Sequence, residues 1–375
     1  MKVPFLRPLL PRALDVLDIF REIDESGVYS NFGEINSRFQ GRIIKEWFGN
    51  EGHVVTINNA TTALILAINT VKKPGGKYAL MPSFTFAATP LAAQWCGLTP
   101  YFVDIVPGEL SVSEHLIREV LNDLGNEVAV VVPYATFGSS LDLSFYDHLI
   151  KKGVPVVVDA APCFGATDET GRHLGQGFNA PVVFSFHATK PFGIGEGGII
   201  YSEDACIISQ IKRDSNFGFG DDRSSYSMGL NGKLCEYMAA IGLKVLDGYR
   251  EKLRVLETLA LSYDSVFNTY GIFDAGYKPH KPKGNAVHQF YPLLAPTAML
   301  RDECLKALAE VDIQARTYFS PACHQQVAFR NCPATNLEIT ESVSGRILSL
   351  PLWVGLSIEN IKEISNIIKL ATDRS

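Results

Sequence analysis

VVTINNATTALILAINTV, residues 54–71, changes its pattern half-way along. Residues 54–57 form a short apolar run. Asn58 and Asn59 break it, and residues 61–71 then supply an apolar face at helical spacing. Asparagine accepts hydrogen bonds from the free amides of a helix start, so the stretch reads as strand, cap and helix. The same form recurs outward along the chain. KYALMPSFTFAATPLAAQWCG, residues 77–97, reads as a strand ending at Met81 and Pro82, then a helix toward Gly97. TPYFVDI is a strand ending near Asp104. EVAVVVPYATFG and VPVVVDAAPCFGA are hydrophobic runs followed by loops of polar or small residues, and VVFSFHAT and EGGIIYS close the series. Continuous apolar strands separated by helices predict an α/β fold with a mostly parallel central sheet covered on both faces. Ligands bind in such folds beyond the strand ends, where Asn59, Phe86, Asp159 and Ser185 fall.

The pattern changes after Gly229. Residues 229–267 read as a long helical region, and AVHQFYPLL and RILSLPLW are later strands beside helices. Two domains are expected: 1–244, an amino-terminal segment with a large ligand-binding domain, and 245–375, a smaller α/β domain against which the amino-terminal segment packs. There are 375 residues, ample for both. With 46% hydrophobic and 20% charged residues the composition is ordinary, and a net charge of −6 gives no reason to expect nucleic acid or an anionic membrane as partner. No signal peptide or membrane span is visible, so the cytoplasm is the expected location. The seven cysteines are scattered without a CxxC pair, and the eight histidines lack HExxH spacing. No metal site is expected.

FSFHATKPFGIGEGGII, residues 184–200, sets Lys190 between a histidine and four glycines. The lysine could hold a phosphate, pair with a buried acid or form a covalent imine. GIGEGG leads into a strand, so it is not a dinucleotide loop, which needs a helix next. No GxxxxGK[ST] loop and no GxSxG elbow is present. Asp159 ends a strand of valines, and a buried carboxylate needs a cationic or hydrogen-bonding partner. The ring nitrogen of pyridoxal phosphate is one such partner; helix capping is the other reading. The helix start at Asn59, Ala60 and Thr61 suits a phosphate. Ser185 can add a hydroxyl. Phe86 can stack on a ring or simply pack.

With these residues in view, the chain resembles the DegT/DnrJ/EryC1/StrS family of nucleotide-sugar aminotransferases, fold-type I enzymes that use pyridoxal 5'-phosphate. NNATTALILAI, MPSFTFAATPLAAQWCGLTPYFVDI, VVVDAAPCFGA, FSFHATKPFGIGEGGII, GLNGKLCEYMAAIG and LSLPLW carry the resemblance, in the family's order. It implies that Lys190 is the imine lysine and Asp159 the ring-nitrogen acid. It implies that Phe86 stacks on the ring and that Ala60, Thr61 and Ser185 contact the phosphate. It implies that Asn231 is lent to the phosphate by a partner subunit, hence a homodimer with shared active sites. His187 and Asn59 are pocket candidates. Glutamate as amino donor and a nucleotide-linked keto sugar as acceptor, dTDP-linked and 6-deoxy, follow from the same resemblance. Three departures stand out. Asn59-Ala60-Thr61 replaces a common SGT, Pro162 replaces a glutamine or histidine, and Lys233 stands where an arginine is usual. Two rival readings are a pyridoxal-phosphate enzyme acting on small amino acids and a regulatory relative that binds the cofactor without turnover.

Overall fold

A computed structural model describes residues 2–374; Met1 and Ser375, the outer ends of the two expected domains, lie outside it. Seven strands form the main sheet: β1 (His53–Ile57), β2 (Tyr78–Pro82), β3 (Thr99–Val103), β4 (Val128–Val131), β5 (Val158–Asp159), β6 (Val182–Ser185) and β7 (Gly198–Ser202). β3, β2 and β4 pair in parallel, as do β5 and β6. Parallel bridges from Val131 to Val156 and from Tyr134 to Asp159 join the two groups. The resulting order is β3-β2-β4-β5-β6-β7-β1. β7 runs antiparallel to both its neighbours, so the sheet is mixed.

These strands are buried on both faces, and their side chains alternate between two cores. In β6, Val182 and Phe184 enter one core and Val183 the other; in β7, Ile199 and Tyr201 oppose Ile200 in the same way. A strand covered on both sides is apolar at most positions, which is why these runs show no regular polar alternation.

β8 (Lys278–Pro279), β9 (Tyr291–Leu294) and β10 (Ile347–Leu350) form a small antiparallel sheet. The helices Ala298–Glu310 and Ile358–Asp373 pack with it in a third core. The helix Glu236–Thr269 runs through both regions: Ala239, Leu243 and Tyr249 pack against the main sheet, and Leu256, Tyr263 and Phe267 enter the third core. Position 244/245 falls inside this helix. Val3 joins the third core through a parallel bridge to Ile313, and Trp353 Nε1 donates to Pro4 O at 3.0 Å. A fourth cluster, with Phe5, Phe84, Phe137 and Phe290, fills the seam between the sheets. Among the described residues the cysteines are unpaired, no metal-binding cluster occurs, and no helix is long and apolar enough to cross a membrane.

Candidate active site

Asp159 is the last residue of β5 and is buried. Its Oδ2 accepts from Thr89 Oγ1 at 2.6 Å and its Oδ1 from the Ala161 amide at 3.1 Å. Thr89 is held in turn by Thr85, hydroxyl to hydroxyl at 2.9 Å. Burial pushes the Asp159 carboxyl above its ordinary value, while the Thr89 hydroxyl, the Ala161 amide and the charge of Lys190 pull it back. A carboxylate has about four lone-pair sites, so this one keeps capacity for a further donor.

Lys190 lies in the turn after β6. Its amide donates to His187 O at 2.8 Å, and the Ala188 amide donates to Gly195 O at 2.7 Å. Phe186 and Phe192 flank the turn with ring centroids 4.5 Å apart, and Phe192 meets Phe164 and Tyr249 at 5.0 and 4.9 Å. This aromatic floor holds the turn. A Cβ on Gly193 would sit 2.7 Å from Ala188 O, so the returning chain needs glycine there. The half-buried Lys190 amine donates to Gln289 Oε1 at 3.3 Å, and Gln289 Nε2 donates to Thr189 O at 3.1 Å. Burial lowers the basicity of the lysine; Asp159 opposes that shift.

The helix Ala60–Val71 starts beside these strands. Asn59 caps it by accepting from the Thr62 amide at 2.8 Å. This leaves the Ala60 and Thr61 amides, which no protein acceptor takes among the described residues, as the open donors of a helix start. Gly198 pairs with Ser185, and a Cβ there would lie 3.3 Å from Ala60 N. The missing side chain lets the helix start approach the end of β6. Ser185 Oγ accepts from the His187 amide at 3.3 Å. Phe86 is 57% exposed, and it lines a cleft of about 610 Å³ with Arg316, Tyr318 and Phe319.

The structure thus brings Asp159, Lys190, Ser185, Ala60, Thr61 and Phe86 to one end of the sheet. His187 braces its own loop instead: Nδ1 lies 2.8 Å from Thr189 Oγ1 and Nε2 3.6 Å from Glu196. Asn231 is exposed, and its Oδ1 accepts from Lys233 Nζ at 2.9 Å. Its carbonyl accepts from Asn58 Nδ2 at 3.3 Å, which fixes the loop beside the helix start of its own chain. Sequence reasoning passed over Thr89 and Gln289. Each was a polar residue inside an apolar stretch, FAATPLAA and AVHQFY, and that was the available signal.

The chain is similar to known proteins over nearly its whole length. The family model for the DegT/DnrJ/EryC1/StrS aminotransferases matches residues 14–369. A solved structure from Bacillus cereus, assigned as a PLP-dependent aminotransferase, superposes with a TM-score of 0.96 at 46% identity, covering 98% of this chain and all of that one. The Mycobacterium tuberculosis protein Rv3402c is 32% identical over 97% of this chain and 88% of its own length. The Escherichia coli dTDP-4-amino-4,6-dideoxy-D-glucose transaminase is 26% identical over 98% of each chain.

Proposed function

The chain belongs to the DegT/DnrJ/EryC1/StrS aminotransferase family, and from that premise we propose that it transfers an amino group from L-glutamate to a nucleotide-linked keto sugar, with a dTDP-linked keto-6-deoxy sugar as acceptor. It is a pyridoxal-phosphate-dependent aminotransferase. The residues present fit the cofactor. Asp159 has unused acceptor capacity for a ring N–H, Lys190 is an amine of lowered basicity, and Ala60 and Thr61 offer open amides for a phosphate. When bound, the cofactor is an electron sink for the pair left on the amino-bearing carbon.

The remaining steps belong to the chain. Lys190 would anchor the cofactor and, once freed by the donor amine, would move the proton from the donor's α carbon to the cofactor's aldehyde carbon. It then repeats these moves in reverse for the keto sugar. Asp159 holds the proton on the ring nitrogen. Phe86 would pack on the ring, and Ser185 would join Ala60 and Thr61 around the phosphate. The single observation that carries this reading is the buried, half-satisfied Asp159 facing a lysine whose basicity burial has lowered. The strand order supports a fold-type I arrangement, with residues 1–244 and 245–375 as its large and small parts. Exposed Phe86, Trp95, Tyr226 and Met228 support pairing of two chains, and exposed Asn231 supports its loan to the partner's phosphate.

The test is spectroscopic. Glutamate should bleach the visible band of the holoenzyme, and a panel of nucleotide-linked 3-keto and 4-keto sugars should restore it selectively. Restoration by small keto acids alone would reject the sugar reading. Mixed dimers of Lys190→Ala and Asn231→Ala chains should recover one intact site; no recovery, with exchange confirmed by mass, would reject the shared site.

A further inference from the structure

Behind Lys190 lies a small cavity built from four separate parts of the chain: residues 6–9, 188–191, 288–289 and 352–354, closed by Lys252 and Leu256 of the long helix. Its volume is about 30 Å³. Three cationic side chains line it, Arg7, Lys190 and Lys252, and no carboxylate does. Lys252 makes no hydrogen bond or ion pair among the described residues, and burial lowers its amine to about 8. Eight positions earlier on the same helix, Lys244 is paired with Asp247 at 3.1 Å, as a surface lysine usually is. Arg7 lies over the Trp353 ring at 5.5 Å and likewise has no acidic partner among the described residues. Arg7 is exposed and Lys190 has Asp159 nearby, so the uncompensated cation is the half-buried Lys252; a cation held partly out of water without a counter-charge is costly, and an anion lowers that cost. Gln289 and a half-buried His288, whose basicity is lowered by burial, complete a polar wall.

Resting on the aminotransferase reading above, we propose that this cavity is the subsite for the α-carboxylate of the amino donor, held by Lys252 and Arg7. In any amino acid the carboxylate carbon is two bonds from the amine, so it must lie next to the lysine that the amine displaces. A cavity needs roughly 10–15 Å³ to hold one water molecule, so this one has room for a single small group. A nucleotide diphosphate is larger and is attached several bonds from the reacting carbon of its sugar.

Two measurements test the proposal. In the holoenzyme half-reaction, Lys252→Met and Arg7→Gln should each raise the glutamate concentration for half-maximal bleaching about tenfold, the size of a charge-assisted hydrogen bond. Lys252→Arg should restore most of that loss. Half-saturation by the nucleotide sugar in the reverse half-reaction should not move. The second measurement needs no turnover. Acetylation of Lys252 by limiting acetic anhydride, read by peptide mass on the full chain, should be slowed several-fold by succinate, barely by inorganic pyrophosphate, and less by succinate in Arg7→Gln. Unprotected Lys252, stronger protection by pyrophosphate, or unchanged glutamate half-saturation in both variants overturns the subsite. Wild-type enzyme that protects Lys252 but bleaches with no amino acid overturns the aminotransferase reading and leaves a carboxylate site.

Discussion

Two parallel strands of the main sheet, separated by β2 and β4, end in the same way. β3 runs YFV into Asp104, and β5 ends VVV into Asp159. Both aspartates are buried. Asp104 accepts from four donors: the amides of Ile105, Ile339 and Thr340 at 2.9, 2.9 and 2.8 Å, and the Thr340 hydroxyl at 2.7 Å. Ile339 and Thr340 lie in the first turn of the helix Glu338–Arg346, so this carboxylate caps a helix and ties the carboxy-terminal region to the main sheet. Asp159 has two donors and faces a lysine. The contrast is one of spare capacity: Asp104 is saturated with donors, whereas Asp159 can still accept another. Position brings it into the crevice, and an incomplete set of partners leaves it something to do there.

Substitutions can break this contrast or sharpen it. The largest expected effect is at Lys190. Lys190→Ala should abolish covalent attachment of pyridoxal phosphate, measured by intact mass after borohydride reduction, and slow transfer on the order of 10⁴-fold. A persistent reducible adduct would remove Lys190 from its role.

The two aspartates come next and should respond in opposite ways. Asp159→Asn should slow transfer roughly 100-fold or more, because the ring nitrogen loses its charged partner, and move the urea midpoint little. Asp104→Asn should leave activity per folded molecule near wild type and cost about 2 kcal/mol of stability, because donors lose a charged acceptor. If the two variants behave alike, the contrast is wrong.

A smaller effect is expected at Thr89. Its hydroxyl stabilises the charged form of Asp159, so Thr89→Val should raise that carboxyl further above its ordinary value. A raised value means protonation begins at higher pH, so the acid limb of activity should move to higher pH, with roughly a fivefold loss at pH 7. A pH profile that superposes on wild type would make Thr89 a packing residue. The smallest effect is at Asn231: Asn231→Ala should weaken cofactor retention about tenfold, seen as release on dilution.

Much of this site was legible in the sequence because it is local. Strand, loop and next element lie within a dozen residues, so Asp159, Ser185, Lys190, Phe86 and the Asn59 cap could be placed by pattern. The expected strands and the family were borne out. The partners that distinguish Asp159 from Asp104 were not legible. Thr89 is 70 positions from Asp159 and Gln289 is 99 from Lys190, and no local pattern encodes such meetings. Ile339 and Thr340 lie even farther from Asp104, and their donors are mostly backbone amides, which any sequence supplies. The cationic cavity is hidden for the same reason, since Arg7 and Lys252 meet only once the third core has formed.

That third core also orders events during synthesis. Pro4 receives its hydrogen bond from Trp353, 349 positions later, and Val3 pairs with Ile313. At ~5–20 residues per second, the segment around Val3 leaves the ribosome roughly 20–70 s before these partners exist. All seven strands of the main sheet lie between residues 53 and 202, so they are made while that segment waits. The strands of the main sheet thus leave the ribosome before the carboxy-terminal partners that hold the amino-terminal segment carrying Arg7.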